Sequence, residues 1–387
     1  MSTAAIIGAG FGDEGKGRMT DAFASQSPGN CVVIRYNGGA QAGHTVVCPG
    51  LKRHSFSHIG SGSFAGAMTY LSKFFILNPL LWYPEDHTLR EMGVMPMVYV
   101  NPLAPVSTPY DMYLNREAER ARGSKRHGSC GYGVSETVER LCNSSYHLFF
   151  KDIGTPYFKT TLKAIRDNYV MKRAEKLGIP HASAKIEHKL LSDEMLNSFI
   201  EFAIEMKSRL FPMEVTELKK FTNVIFEGAQ GLCLDESHSF FPHVSRSRTG
   251  LANVSRICRK AGLKDVEVVY VTRAYMTRHG AGPFPTESSS LSYIDKTNIS
   301  NEFQGTLRFG CLDVDLLKSN IQNDIRKAKG INLKKSIAVT CLDQVDEQVM
   351  IRYKGKKQTM YREALPKFLG EILQCSRVYT SKSAMRT

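Results

Sequence analysis

The stretch AAIIGAGFGDEGKG (residues 4–17) decides how the fold is read. An apolar run breaks into glycines and ends close to the phosphate loop G-x-x-x-x-G-K-[ST], the turn that leads a buried strand into a helix. Gly8, Gly10, Gly12, Gly15 and Gly17 let backbone N–H groups approach an anion, and Lys16 adds a point charge. Two features break the pattern. Gly17 stands where a Mg²⁺-binding hydroxyl belongs, and the acidic pair Asp13-Glu14 lies inside a loop suited to anions. A carboxylate here has three readings: an oxygen ligand for Mg²⁺, a general base beside the phosphates, or a cap on the following helix.

Comparable apolar, β-rich runs recur as CVVIRY (31–36), NVIFEGA (223–229), VEVVYVT (266–272) and SIAVTCL (336–342). Their near-continuous hydrophobicity predicts strands buried on both faces, as in a parallel sheet. LNSFIEFAIEMKSRLF (196–211) sets Phe199, Phe202, Ile204, Met206 and Leu210 around an apolar helical face, and 317–329 reads similarly. Strands alternating with helices predict an α/β fold: a large, mostly parallel central sheet flanked by helices, with its site at the carboxyl ends of the strands. The 387 residues allow one large domain or two ordinary ones. No repeat, low-complexity tract or Pro/Gly/Ser-rich linker divides them, so 1–387 is expected to be a single domain.

With 42% apolar and 23% charged residues, the composition is that of a soluble globular protein. No apolar run reaches the roughly 18 residues of a membrane helix, and the first is too short and glycine-broken for a signal peptide. Nine cysteines without a C-x-x-C pair argue for reduced thiols in the cytoplasm and against zinc. The net charge of +14 attracts anions, either nucleic acid or small phosphorylated and carboxylated ligands. The densest basic run, REAERARGSKRHGS (116–129), mixes signs and lacks aromatics, which fits a solvated helix leading into a loop. No nucleic-acid partner is expected.

Four later stretches also carry chemistry. YNGGAQAGHTVV (36–47) places His44 between Gly43 and Thr45, as a structural residue, a ligand or an acid. FEGAQG (226–231) puts Glu227 and Gln230 just past a strand end, and TRHGAGPFPTE (277–287) is a rigid, polar-ended loop. AVTCLDQVD (338–346) puts Asp343 where [NT]-K-x-D loops read guanine, with Cys341 in the lysine position; the alternative is a strand-end turn.

Taken in order, GFGDEGKGRMTD, RYNGGAQAGHT, FEGAQGLCLDESHSFFPHVSRSRT and RAYMTRHGAGPFPTE resemble the motifs of the adenylosuccinate synthetase family. That family joins aspartate to IMP with GTP, by phosphorylating O6 and letting the aspartate amine displace phosphate. The resemblance implies that Asp13 is the base at N1 and that His44 stabilises the phosphoryl group in transit. It implies Mg²⁺ held by Asp13 and the Gly43 carbonyl. Gly12, Glu14, Gly15, Lys16, Gly17, Gly43, His44, Thr45 and Asp343 would face the triphosphate. Asp13, Gln41, Ser129, Cys130, Arg140, Gln230 and Ser245 would face the purine monophosphate, and Thr306 and Arg308 the aspartate. A homodimer is implied as well, with Arg140 near the position of an arginine that reaches into the neighbouring site. A GTPase-like regulatory module is a competing class, but it would leave Gly17 without its hydroxyl and His44 without a task.

The departures bear on substrate. In QGTLRFGCLD (304–313), Gly305 and Leu307 replace family arginines, one of which holds the aspartate carboxylate and contacts the ribose 2′-OH. Cys341 replaces a lysine that stacks on guanine, TSKSAMRT (380–387) lacks the family's S-T-G-P-D-R, and Gln41 replaces an asparagine. These changes resemble a viral branch that joins aspartate to dGMP with ATP, although many of its members replace the base aspartate with serine and Asp13 is kept here. The expected reaction is therefore dGMP, aspartate and ATP giving a 2-aminoadenine precursor, with IMP and GTP as the alternative. The cytoplasm is expected, a host's if the chain is viral.

Overall fold

The computed structural model describes residues 2–26, 29–48, 50, 53–179, 189–295 and 305–383. Among them, nine strands form one sheet in the order Arg377–Thr380, Asn332–Thr340, Asp265–Arg273, Ser2–Gly8, Asn223–Gly231, Cys31–Arg35, Met68–Leu71, Val98–Val100 and Leu210–Pro212. Every neighbouring pair is parallel. Ser2–Gly8 lies near the centre, pairing Ile6 with Glu227 on one side and with Val269 on the other.

The five apolar runs become the five inner strands because both of their faces are covered. Ala5, Ile7, Val32, Ile34, Val224, Phe226, Val268 and Tyr270 point into one apolar layer, beneath the helices Leu251–Ala261 and Val314–Ile325. Ile6, Val33, Ile225, Val269 and Val271 point the other way, against Met19 and Ala24 of the helix Lys16–Ser25. A third cluster gathers the helices Pro79–Glu91, Pro109–Arg122, Pro156–Ala164 and Asp193–Arg209 around the short outer strands.

Two helical readings are corrected. The helix expected over 196–211 is Asp193–Arg209, and Leu210 begins an edge strand instead. Its buried face is Leu196, Phe199, Ala203 and Met206, and Ile204 is 48% exposed. The face that packs is thus rotated away from Ile204, at the spacing of three to four residues that keeps one side inward. The helix expected over 317–329 runs Val314–Ile325, started by Asp313, whose side chain accepts from the Leu316 amide at 3.0 Å. No helix among the described residues is long and apolar enough to cross a membrane.

The topology decides where chemistry can occur. In a parallel sheet all carboxyl ends lie along one edge, so the loops after Gly8, Arg35, Gly231, Arg273 and Thr340 converge there.

Candidate active site

A cavity of about 1100 Å³ opens at that edge. Of the residues expected in the site it gathers Gly12, Asp13, Gly15, Lys16, Gly17, Gln41, Gly43, His44, Thr45, Cys130, Gln230 and Asp343.

The first loop resolves its own acidic pair. Gly15, at φ 89°, turns the chain into the helix Lys16–Ser25, whose start has no side-chain cap, so neither carboxylate serves as the cap. The bare N-terminal amides make an anion cradle. Glu14 is buried inside the turn, where one oxygen accepts from the amides of Gly10 at 3.0 Å and Gly12 at 2.9 Å. Its other oxygen pairs with Lys16 Nζ at 2.8 Å. Glu14 therefore shapes the loop and does not line the cavity. Asp13 does line it, from a left-handed backbone at φ 60°. Burial raises the Asp13 carboxyl pKa, while Arg273 and Lys16 pull it back down. The Arg273 Nε–H also donates to the Asp13 carbonyl, which holds the loop from the neighbouring strand.

Gly17 is explained by its neighbour. A Cβ there would lie 2.8 Å from the His44 Cβ and 3.0 Å from the Ser61 hydroxyl, so no serine or threonine fits. His44, the first residue of the short strand His44–Val47, occupies that space. Its Nδ1 lies 2.7 Å from Glu227 Oε1 and 2.7 Å from Arg35 Nη1. Its buried Nε2 has no protein partner. Burial pushes the His44 pKa down to about 4, with Glu227 opposing and Arg35 adding to the fall, so the ring is neutral at physiological pH.

On the remaining wall, both polar side-chain atoms of Gln41 and Oε1 of Gln230 are buried without partners. Buried polar groups are ordinarily satisfied, so this wall is complementary to a polar ligand. Asp343 and Cys341 line the cavity with Arg18, Gln344 and Ser381. Residues 384–387 and Gln304, which belong to two of the divergent stretches, lie outside the described residues.

Several expected residues are elsewhere. Arg140 is a correction. It is fully buried between the helices Val134–Asn143 and Pro109–Arg122, bound to Asp111 at 2.9 Å and to the carbonyls of Val106 and Tyr146. A guanidinium so committed reaches neither a monophosphate nor a partner's site. Ser129 donates to Asn115 Oδ1 at 2.7 Å beside the cavity, and Ser245 is held through its amide by the Leu234 carbonyl. Neither lines the cavity. Thr306 is exposed outside it. Arg308 pairs with Glu287 at 2.7 Å and donates to the carbonyls of Gly280 and Gly282, bracing the 280–287 turn.

Sequence reasoning missed Arg273, which lines the cavity and pairs with Asp295 at 2.9 Å. The stretch RAYMTRHGAGPFPTE starts on it, so a signal was present. Arg53 and Ser55 come from the hairpin partner of His44–Val47 and carried none.

Among the described residues no group of three His, Cys, Asp or Glu side chains is placed to hold a metal. The Asp13 carboxylate on the cavity wall still suits Mg²⁺, which keeps several waters and takes its other oxygens from phosphates.

A parallel α/β sheet with a glycine-rich anion cradle, a carboxylate and a neutral histidine in one cavity defines an enzyme that handles nucleotide phosphates. Residues 5–386 match the family model of adenylosuccinate synthetase, and the chain belongs to that family of carbon–nitrogen ligases driven by a nucleoside triphosphate. It is 28% identical to the adenylosuccinate synthetase of Thermoplasma volcanium over 97% of this chain and 84% of that one. It is 29% identical to that of Clostridium botulinum over 98% and 87%. Its fold matches the fully ligated adenylosuccinate synthetase from Plasmodium falciparum, with a TM-score of 0.76 at 17% identity over 100% of this chain and 98% of the other. It also matches the succinoaminodeoxyadenylate synthetase of cyanophage S-2L bound to dGMP and dATP, with a TM-score of 0.60 at 14% identity over 100% and 94%.

Proposed function

We propose that this ligase joins L-aspartate to the 6-position of dGMP, with ATP as phosphoryl donor. The observation that carries the reading is Gly305. Its backbone sits at φ 78°, a conformation that side chains rarely adopt, with its carbonyl accepting from His279 Nε2 at 3.1 Å. An arginine that would hold the ribose 2′-OH is absent, and the backbone is unsuited to one. Cys341, at φ 57° on the cavity wall, supports the donor assignment, because a thiol is too short to stack on guanine as a lysine stem does.

Asp13 takes the proton from N1, which makes O6 nucleophilic, and O6 attacks the γ-phosphorus as its bond to the bridging oxygen breaks and ADP leaves. The amides at the start of Lys16–Ser25 and Lys16 hold the donor phosphates, and His44, taking a proton on Nε2 as the anionic phosphates enter, donates from it to the phosphoryl oxygens. Gln41 and Gln230 orient the purine monophosphate. The aspartate amine then displaces phosphate at C6. Mg²⁺, when held by Asp13 and the Gly43 carbonyl, would neutralise phosphate charge beside the base. The proposal keeps the single domain, a cytoplasmic location and the homodimer, the last without Arg140 as a group shared between sites.

A second reading, IMP with GTP, is favoured by Asp343, which keeps the guanine-reading position on the cavity wall, and by the retained Asp13. The test incubates purified protein, Mg²⁺ and aspartate with IMP, dIMP, GMP or dGMP, each with ATP or GTP, and reads the succinyl adduct by mass spectrometry. An adduct with dGMP and little with IMP is expected. An adduct with IMP alone would replace this proposal with the second reading.

A further inference from the structure

Glu227 has no part in the chemistry described so far, yet it is the anchor beneath His44. It is 1% exposed on the strand Asn223–Gly231, directly opposite Arg35 in the register of the neighbouring strand. Its carboxylate accepts from Arg35 Nη1 at 3.1 Å, from the Ser61 amide at 3.1 Å and from the Ser61 hydroxyl. His44 Nδ1 completes the set at 2.7 Å. Four contacts on one buried carboxylate fix it in place, and Gly17 packs against His44.

The His44 Nδ1 lies equally close to Arg35, which can only donate, and to Glu227, which can only accept. Nδ1 either carries a hydrogen and serves Glu227 or presents a lone pair and serves Arg35. We propose that Glu227 is a positioning residue: it accepts the Nδ1 hydrogen, sets the ring plane and leaves Nε2 as the atom turned to the cavity. The partner set favours this assignment, because Arg35 already has Glu227 and the Ser57 carbonyl at 3.0 Å as acceptors, whereas an Nδ1 acceptor would leave its contact with Glu227 as two facing lone pairs. Orienting a histidine through its second nitrogen is a recurrent means of aiming the first.

The inference rests on the proposed reading only in giving His44 a role at the phosphoryl group. Its first test needs no nucleotide. Nitrogen-15 NMR of the full chain with labelled histidine, assigned through His44→Asn, should show His44 with hydrogen on Nδ1. Hydrogen on Nε2 instead would overturn the proposal, whatever the substrate. The second test is Glu227→Gln, assayed with whichever nucleotide pair supports turnover. A fall in kcat of about 10²-fold or more is expected, with both nucleotide KM values within about threefold and the His44 signal shifted to mixed tautomers. An unchanged His44 signal, or a loss confined to thermal stability, would reduce Glu227 to a structural ion. If Glu227→Gln does not fold, the wild-type spectrum decides alone.

Discussion

At the scale of the residue, what distinguishes this site from an ordinary phosphate loop is a trade between Gly17 and His44. A hydroxyl at 17 would serve a cation, but its Cβ would collide with the Cβ of the histidine that the proposed mechanism sets at the phosphates. Gly17→Ala tests the trade directly. The added methyl would stand 2.8 Å from the His44 Cβ and 3.2 Å from its carbonyl carbon, so the backbone of His44 must shift by a few tenths of an ångström. Displacement of that order at a reacting group is expected to lower kcat by about tenfold or more, with the fold intact by circular dichroism. Wild-type turnover in Gly17→Ala would mean that His44 tolerates displacement and is not held to a fixed position.

At the scale of the element, Arg140 shows how charge can be structural. It clamps the helix Val134–Asn143 to the start of Pro109–Arg122, where Asp111 also completes a capping box with Thr108. Removing one partner leaves the other charge buried and unpaired, at a cost of about 3–5 kcal/mol. Arg140→Met should therefore lower the thermal midpoint markedly while leaving the monophosphate KM of the folded protein unchanged. A raised KM at full stability would restore Arg140 to the binding site.

At the scale of the whole molecule, Asp324 ties three parts of the fold together. From the helix Val314–Ile325 it accepts from the Leu251 amide at 2.8 Å, at the start of another helix, and from Tyr270 in the central sheet at 3.0 Å. Burial raises its pKa from 3.8 to about 6. The folded state therefore disfavours the ionised form, so the stability from this group is full below about pH 4 and lost as pH rises through 6. Asparagine preserves the shape and cannot ionise. The stability of Asp324→Asn relative to wild type should rise by up to about 3 kcal/mol between pH 4 and 7, read from denaturant unfolding. A flat difference would show that Asp324 is not the titrating group.

The sequence by itself determined the sheet and the glycine-rich loops that line the cavity. The five inner strands are buried on both faces along most of their length, so they carry near-continuous apolar runs, and that pattern survives in one dimension. The glycine-rich loop, Asp13, His44 and Gln230 were legible for a related reason, since local backbone geometry dictates local composition. The short outer strands Met68–Leu71, Val98–Val100 and Leu210–Pro212 were not legible, because three or four residues make no periodicity and only their neighbours make them strands. Only the tertiary structure decided which charges face the cavity. Glu14 and Arg140 turn inward to partners while Arg273 reaches in from a strand far away in sequence but adjacent in the sheet, since burial and pairing depend on what the folded chain sets alongside.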